Sequence, residues 1–72
     1  TKMSYIHSID FTFRELEIIK FLKKGHSTKE IASLLNLSDF TVKKHRENIS
    51  NKALTFGKKQ FRQFIIEYQL PE

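Results

Sequence analysis

The 72-residue chain has no cysteine, only two glycines and one proline, and no long apolar run. Without cysteine it can form neither a disulfide nor a thiolate metal site. Two glycines are too few for a Gly-rich loop that cradles phosphate. No apolar run approaches the roughly 20 residues needed to cross a bilayer, and the first residues lack a signal-peptide apolar region. The chain is therefore expected to have no contact with a membrane.

Patterns of catalytic or metal-ligating residues are also missing. His7, His26 and His45 are too far apart to suggest a metal site by spacing, although a fold can still gather distant residues. Glu15 and Glu30 fit the pattern of helix caps, which gives both carboxylates a structural role. We therefore predict no enzyme activity, no cofactor and no bound metal.

Positive charge is in excess, with 13 Lys and Arg against eight Asp and Glu, a net charge of +5 and a pI near 9.7. The excess is spread over both halves of the chain, so there is no basic tail. A basic domain of this size suits a polyanionic partner, although many small domains are basic for solubility. The length allows one domain with a small core.

Three helix-start signals, and a break in the pattern at residues 54–57, divide the chain into four helical segments. Residues 12–15 and 27–30 each match the capping box, in which a hydroxyl and a glutamate exchange hydrogen bonds across one turn. Ser38 is a good N-cap residue for a third helix, and Gly25 suits the left-handed closing position of the first. We predict an all-α, four-helix bundle-like domain with helices at about 12–24, 27–35, 38–53 and 58–70.

Residues 1–10 lack helical periodicity and are predicted to be a linker or leader, with the domain spanning residues 11–72. Because the chain begins at Thr1, we expect it to be a piece of a longer protein.

The second and third predicted helices form a helix-turn-helix, since only Asn36 and Leu37 separate the second helix from the cap at Ser38. In the third helix an apolar stripe should face inward, formed by Val42, Ile49 and Ala53. The opposite face is rich in hydrogen-bond donors and partly cationic, which suits entry into a major groove. Its residues are Phe40, Lys43, Lys44, Glu47, Asn48 and Asn51.

The sequence resembles the LuxR-type helix-turn-helix domain shared by the LuxR and NarL/FixJ regulators, over about residues 11 to 70. The resemblance rests on Phe11-Thr12-Phe13-Arg14-Glu15, Gly25, Ser27, Lys29-Glu30-Ile31-Ala32, Leu35, Ser38, Thr41-Val42-Lys43, His45, Ile49 and Lys52. It implies bacterial transcription regulation, binding as a dimer to paired half-sites on double-stranded DNA, and dimerisation through the fourth helix.

Three residues depart from the family pattern. Phe13 replaces the usual proline, at little cost in the first helical turn. Ala53-Leu54 replaces the usual Leu-Gly, so the third helix is expected to run on or to end differently. Arg62 replaces a usual apolar residue of the fourth helix, which puts the family's dimer contact in question.

Lys43, Lys44 and Glu47 are the predicted base-reading residues, at positions that touch DNA in the family. Each lysine can donate to guanine O6 or N7, or meet a phosphate instead. Glu47 can accept from cytosine N4, or form an i to i+4 ion pair with Lys43. Phe40 either touches a thymine methyl or is half-buried at the helix start.

Six residues are predicted to contact phosphate, either from family positions or because they lie at helix N-termini, where free amides favour anions. The alternative for His45 is a hydrogen bond within the domain, since it flanks the apolar stripe. The six are Thr28, Lys29, Ser38, Thr41, His45 and Lys52.

Ile66 and Leu70 lie four residues apart, outside the inward stripe of the fourth helix, and are the predicted dimer interface. The alternative is that two exposed aliphatic side chains are ordinary.

The leading hypothesis is the sequence-specific DNA-binding domain of a bacterial transcription regulator, such as a response regulator, acting in the cytoplasm at the nucleoid. One alternative is the promoter-reading region of a sigma factor, which has similar sequence patterns and needs RNA polymerase as a partner. The other is a helical protein-interaction module that does not bind DNA.

Overall fold

The computed structural model describes residues 9–71, and within that range it contains four α-helices and no strand. The helices are α1 Phe13–Lys23, α2 Thr28–Leu35, α3 Asp39–Lys52 and α4 Lys58–Glu67. The predicted all-α fold with a central helix-turn-helix is therefore confirmed. Most of the predicted linker, residues 1–8, lies outside the described residues, and so does His7.

The local signals at the helix starts act as predicted. The hydroxyl of Thr12 accepts the amide of Glu15 at 3.1 Å, and the Glu15 carboxylate accepts the amide of Thr12 at 2.9 Å. Ser27 and Glu30 form the same reciprocal pair at the start of α2. At the starts of α1 and α2, two otherwise free amides are therefore satisfied by side chains of the same turn, whereas α4 begins after Gly57 without a side-chain cap.

The third helix ends at Lys52 and does not run on through Ala53-Leu54, the two residues that replace the family's usual Leu-Gly. Leu54 has a left-handed backbone (φ 56°), which is the conformation that favours glycine. The amide of Leu54 donates to Asn51 at 3.2 Å, and that of Thr55 to Ser50 at 3.1 Å. The helix thus closes with the hydrogen bonds of a Schellman motif, although a strained leucine occupies the place of the usual glycine.

The fourth helix ends at Glu67, so its predicted extension to residue 70 is wrong. Tyr68 is already extended (ψ 131°). The Lys23 ammonium donates to the carbonyls of Ile65, Ile66 and Tyr68 at 3.0, 3.2 and 2.7 Å, which satisfies the helix end from α1. The residue before Pro71 is also biased away from helical backbone.

The core lies where α1 packs against α3 and α4, and α2 packs against α3. Val42 and Ile49 of α3 are fully buried and Ala53 nearly so, which confirms the predicted stripe. An aromatic cluster joins the two ends of the described chain, because the Phe11 ring lies 6.0 Å from Phe64 and 5.3 Å from Tyr68. Contacts on this buried side hold α3 in place and leave its other face open.

Candidate nucleic-acid interface

The outer face of α3 is exposed along its length. Val42 and Ile49 have no exposed surface, whereas Lys43, Lys44 and Glu47 between them are exposed. The predicted outward residues Asn48 and Asn51 are exposed as well, and so is Phe40 at 75%, which excludes the alternative of half-burial for its side chain. The structure therefore gathers the three predicted base-reading residues on one solvent-facing side of a fixed helix.

Glu47 forms an ion pair, but not the one with Lys43 that was the alternative to its base-reading role. Its carboxylate lies 4.0 Å from the Lys44 ammonium, one turn back, rather than pairing with Lys43. Both side chains are well over half exposed, and exposed pairs of this kind contribute little to stability. Both groups are thus accessible to a ligand at small energetic cost.

Ser38 and Thr41 form a hydroxyl pair at the N-terminus of α3. The Ser38 hydroxyl accepts the amide of Thr41 at 3.1 Å, and the two hydroxyl oxygens are 2.9 Å apart. Since one hydroxyl donates to the other, one of their two protons stays available to an outside acceptor. Two predicted phosphate contacts are thereby brought together at the positive end of a helix.

The start of α2 contains a contact that the sequence did not predict. Arg46 of α3 donates from Nη1 to the Thr28 hydroxyl at 2.5 Å, and its guanidinium lies 5.4 Å from the centre of the Phe61 ring. Burial lowers the pKa of Arg46 from its ordinary value. The sequence does indicate that Arg46 packs against the domain, because it lies four residues after Val42 and three before Ile49, on the edge of the apolar stripe. Lys29, the neighbouring predicted phosphate contact, is exposed.

Lys52 has an internal partner. Its ammonium lies 2.7 Å from the Glu15 carboxylate and 3.1 Å from the Asp10 carbonyl. Glu15 is only 3% exposed. Burial raises the pKa of Glu15, but the hydrogen bonds from Lys52 and from the Thr12 amide outweigh it, so that the pKa lies below its ordinary value. Lys52 thus links the end of α3 to the start of α1 by an ion pair, a structural role that the family pattern did not indicate.

His45 and the two predicted dimer residues have different environments. His45 is half-buried beside the core stripe, and its contact with phosphate stays a prediction. Ile66 is 63% exposed, whereas Leu70 lies beyond the end of α4 and packs against the core. Because α4 ends at Glu67, Ile66 and Leu70 do not share a helical face.

A core shared by four helices, a tight helix-turn-helix and an exposed polar face on the second helix of that unit define a helix-turn-helix nucleic-acid-binding domain. Residues 10–60 match the family described as bacterial regulatory proteins, luxR family, and the chain belongs to that family. This membership confirms the resemblance, supports DNA binding by a bacterial transcription regulator, and agrees with the prediction that this region is not an enzyme.

Three curated proteins illustrate the relationship. The chain is 49% identical over 41 residues to the nitrate/nitrite response regulator protein NarP of Escherichia coli, covering 57% of this chain and 19% of that protein. It is 45% identical over 53 residues to the uncharacterized response regulatory protein YgeK of Escherichia coli, covering 71% and 36%. The fimbriae Z protein of Salmonella typhimurium is 39% identical over 46 residues, covering 64% and 22%.

The match therefore spans only about a fifth to about a third of each relative's length. No solved structure matches the chain significantly. Among the described helices, none has both the length and the apolar character needed to cross a membrane.

Proposed function

We propose that this domain binds double-stranded DNA of a defined sequence, with α3 in the major groove. The observation behind the proposal is the two-sidedness of α3, on which Val42 and Ile49 are fully buried and Lys43, Lys44 and Glu47 are exposed. The lysines donate to guanine O6 or N7, and the glutamate accepts from cytosine N4. Base-edge contacts of this kind distinguish one sequence from another, whereas phosphate contacts do not.

Contacts with backbone phosphates fix the position of α3 along the DNA duplex. Ser38 and Thr41 offer a hydroxyl proton at the start of α3, and Thr28 and Lys29 do the same with a hydroxyl and an ammonium at the start of α2. His45 is kept as a further phosphate contact on the side of α3. Lys52 is left out, because its ammonium already binds Glu15 and the Asp10 carbonyl.

The protein acts as a homodimer on paired half-sites, with α4 supplying the contact between copies. The exposed Ile66 is the apolar residue available for that contact, and Leu70 is withdrawn from it because it packs within its own domain. The proposed setting is the bacterial cytoplasm at the nucleoid, and RNA polymerase is a further proposed partner once the domain is bound near a promoter.

Selection of binding sites from a random duplex library tests the proposal, followed by titration of the selected duplex. Replacing Lys43 and Lys44 together with alanine should abolish specific binding while leaving the helical content unchanged, because both side chains are exposed. The matched control replaces the exposed Lys20 of α1 and the exposed Lys24 at its C-cap, which removes the same charge from another part of the domain. Specific binding that survives in the Lys43/Lys44 variant, or is lost equally in the control, contradicts the proposal.

The two alternatives predict different results. A protein-interaction module that ignores DNA shows no steep loss of affinity with salt, whereas a DNA binder shows a log-log slope of about −0.9 per neutralised phosphate. A sigma-factor region would be retained by core polymerase and would protect a −35 element in footprinting. The family match favours the transcription regulator over both.

A further inference from the structure

We propose that Arg46 is a positioning residue for DNA binding, which fixes the Thr28 hydroxyl as a donor to a backbone phosphate. The inference rests on the proposed function, because it concerns the orientation of the Thr28 hydroxyl, one of the proposed phosphate contacts. It adds a residue that takes no part in the direct contacts described above.

The guanidinium of Arg46 is held by groups from two other helices. Its Nη1 lies 2.5 Å from the Thr28 hydroxyl oxygen at the start of α2, and its carbon lies 5.4 Å from the Phe61 ring centre in α4. A cation–π contact at this distance, together with the hydrogen bond to Thr28, restrains the position of the guanidinium. Arg46 therefore presents its donor to Thr28 in a set geometry.

This contact determines the role of the Thr28 hydroxyl. A guanidinium has five N–H donors and no acceptor, so the hydroxyl oxygen must accept from Arg46. The single hydroxyl proton is then directed away from Arg46 and needs another acceptor. Without Arg46 the hydroxyl is free to rotate and to accept or donate. The arginine thus converts an adaptable hydroxyl into an oriented donor.

The surroundings of Thr28 favour an anion as that acceptor. Thr28 is the first residue of α2, directly after the N-cap Ser27, where backbone amides have no helical partner. Thr28 and Arg46 line an open groove of about 1050 Å³ that is also lined by Lys43 and Glu47, two of the proposed base-reading residues. A duplex seated on α3 would therefore bring its backbone within reach of this groove.

The experiment uses a mixed-sequence 20-base-pair duplex, since phosphate contacts are independent of sequence, and measures affinity by fluorescence anisotropy at several salt concentrations. Thr28→Val should weaken binding about tenfold, as expected for loss of a hydrogen bond to a charged group. Thr28→Ser, which keeps the hydroxyl, should bind like the unmodified protein. Lys20→Met removes one positive charge elsewhere and serves as the reference for Arg46→Met. Relative to Lys20→Met, Arg46→Met should weaken the affinity for the duplex about tenfold as well.

Two results separate positioning from other roles. The double variant should bind no more weakly than Arg46→Met alone, because both changes remove the same contact. The salt slope of Arg46→Met should match that of Lys20→Met. Losses that add in the double variant overturn the inference. A slope that falls by about 0.9 more than the control's also overturns it, because Arg46 would then contact a phosphate itself.

Urea unfolding of each variant ensures that affinities are compared among folded proteins. If Arg46→Met does not fold, Arg46→Lys replaces it in the cycle, since lysine keeps the charge but not the planar fork. Absence of salt-dependent binding by the unmodified protein contradicts the proposed function itself. Normal binding by the unmodified protein and by Thr28→Val contradicts only the role given to Arg46 and Thr28.

Discussion

The ammonium of Lys52, at the end of α3, lies 2.7 Å from the carboxylate of Glu15, in the first turn of α1. Glu15 is at the same time the partner of the Thr12 amide in the capping box of α1. One buried carboxylate therefore joins the start of one helix to the end of another. This ion pair fixes the C-terminal end of α3, the proposed DNA-reading helix, relative to the core.

Replacing Lys52 with methionine should lower the free energy of unfolding by about 1–3 kcal/mol, because the change leaves the Glu15 carboxylate buried without its ion-pair partner. Urea denaturation monitored by circular dichroism measures the loss. Lys20→Met, which removes an exposed lysine from α1, serves as the control and should change stability little. Equal stability of the two variants would contradict the structural role of Lys52.

Stability should fall in acid through Glu15. Its pKa in the folded protein lies below the ordinary value of 4.5, so the unfolded chain takes up the proton first. The contribution of Glu15 is fully present above about pH 4.5 and is lost as the pH falls through the folded-state pKa. Urea denaturation between neutral pH and pH 3 should show a smaller acid-dependent loss in Glu15→Gln than in the unmodified protein. Identical pH profiles would refute this linkage.

Leu54→Gly should stabilise the domain by about 1 kcal/mol, because residue 54 has a left-handed backbone and Leu54 is 61% exposed. Little packing is lost when this side chain is removed. Leu54→Ala is the informative control, since alanine removes the side chain beyond Cβ but keeps the Cβ that strains a left-handed backbone. Thermal unfolding should rank glycine above both alanine and leucine, and a glycine variant no more stable than the alanine variant would be inconsistent with strain at this residue.

Ile66→Glu should weaken cooperative binding to a duplex with two half-sites and leave affinity for a single half-site nearly unchanged. The physical reason is that a charge placed at the centre of a contact between copies must be desolvated. Gel-shift titration on the two duplexes separates the effects, and Gln63→Glu provides a control at another exposed residue of α4. Undiminished cooperativity in Ile66→Glu would show that α4 contacts its copy elsewhere or not at all.

Much of the fold could be predicted because its signals are local. The two capping boxes and the Ser38 cap lie within single helical turns, where bonding depends only on residues three apart. The stripe of Val42, Ile49 and Ala53 follows from helical geometry alone. The same periodicity placed Lys43, Lys44 and Glu47 on the opposite face.

The errors arose where distant parts of the chain meet. The fourth helix ends earlier than predicted, and Lys23, more than 40 residues earlier in the chain, donates to the carbonyls of Ile65, Ile66 and Tyr68 at that end. The link between Lys52 and Glu15 spans 37 residues, and that between Arg46 and Thr28 spans 18. No pattern in the sequence specifies which long cationic side chain reaches which acceptor.

The sequence by itself determined the number of helices, the N-caps of α1, α2 and α3, and the side of α3 that meets solvent, because these follow from interactions within a few residues. Only the tertiary structure decided which cations remain available to a ligand. Lys52 and Lys23 are bound to other helices, and Arg46 is bound to Thr28, because packing brings their long side chains to acceptors on neighbouring elements.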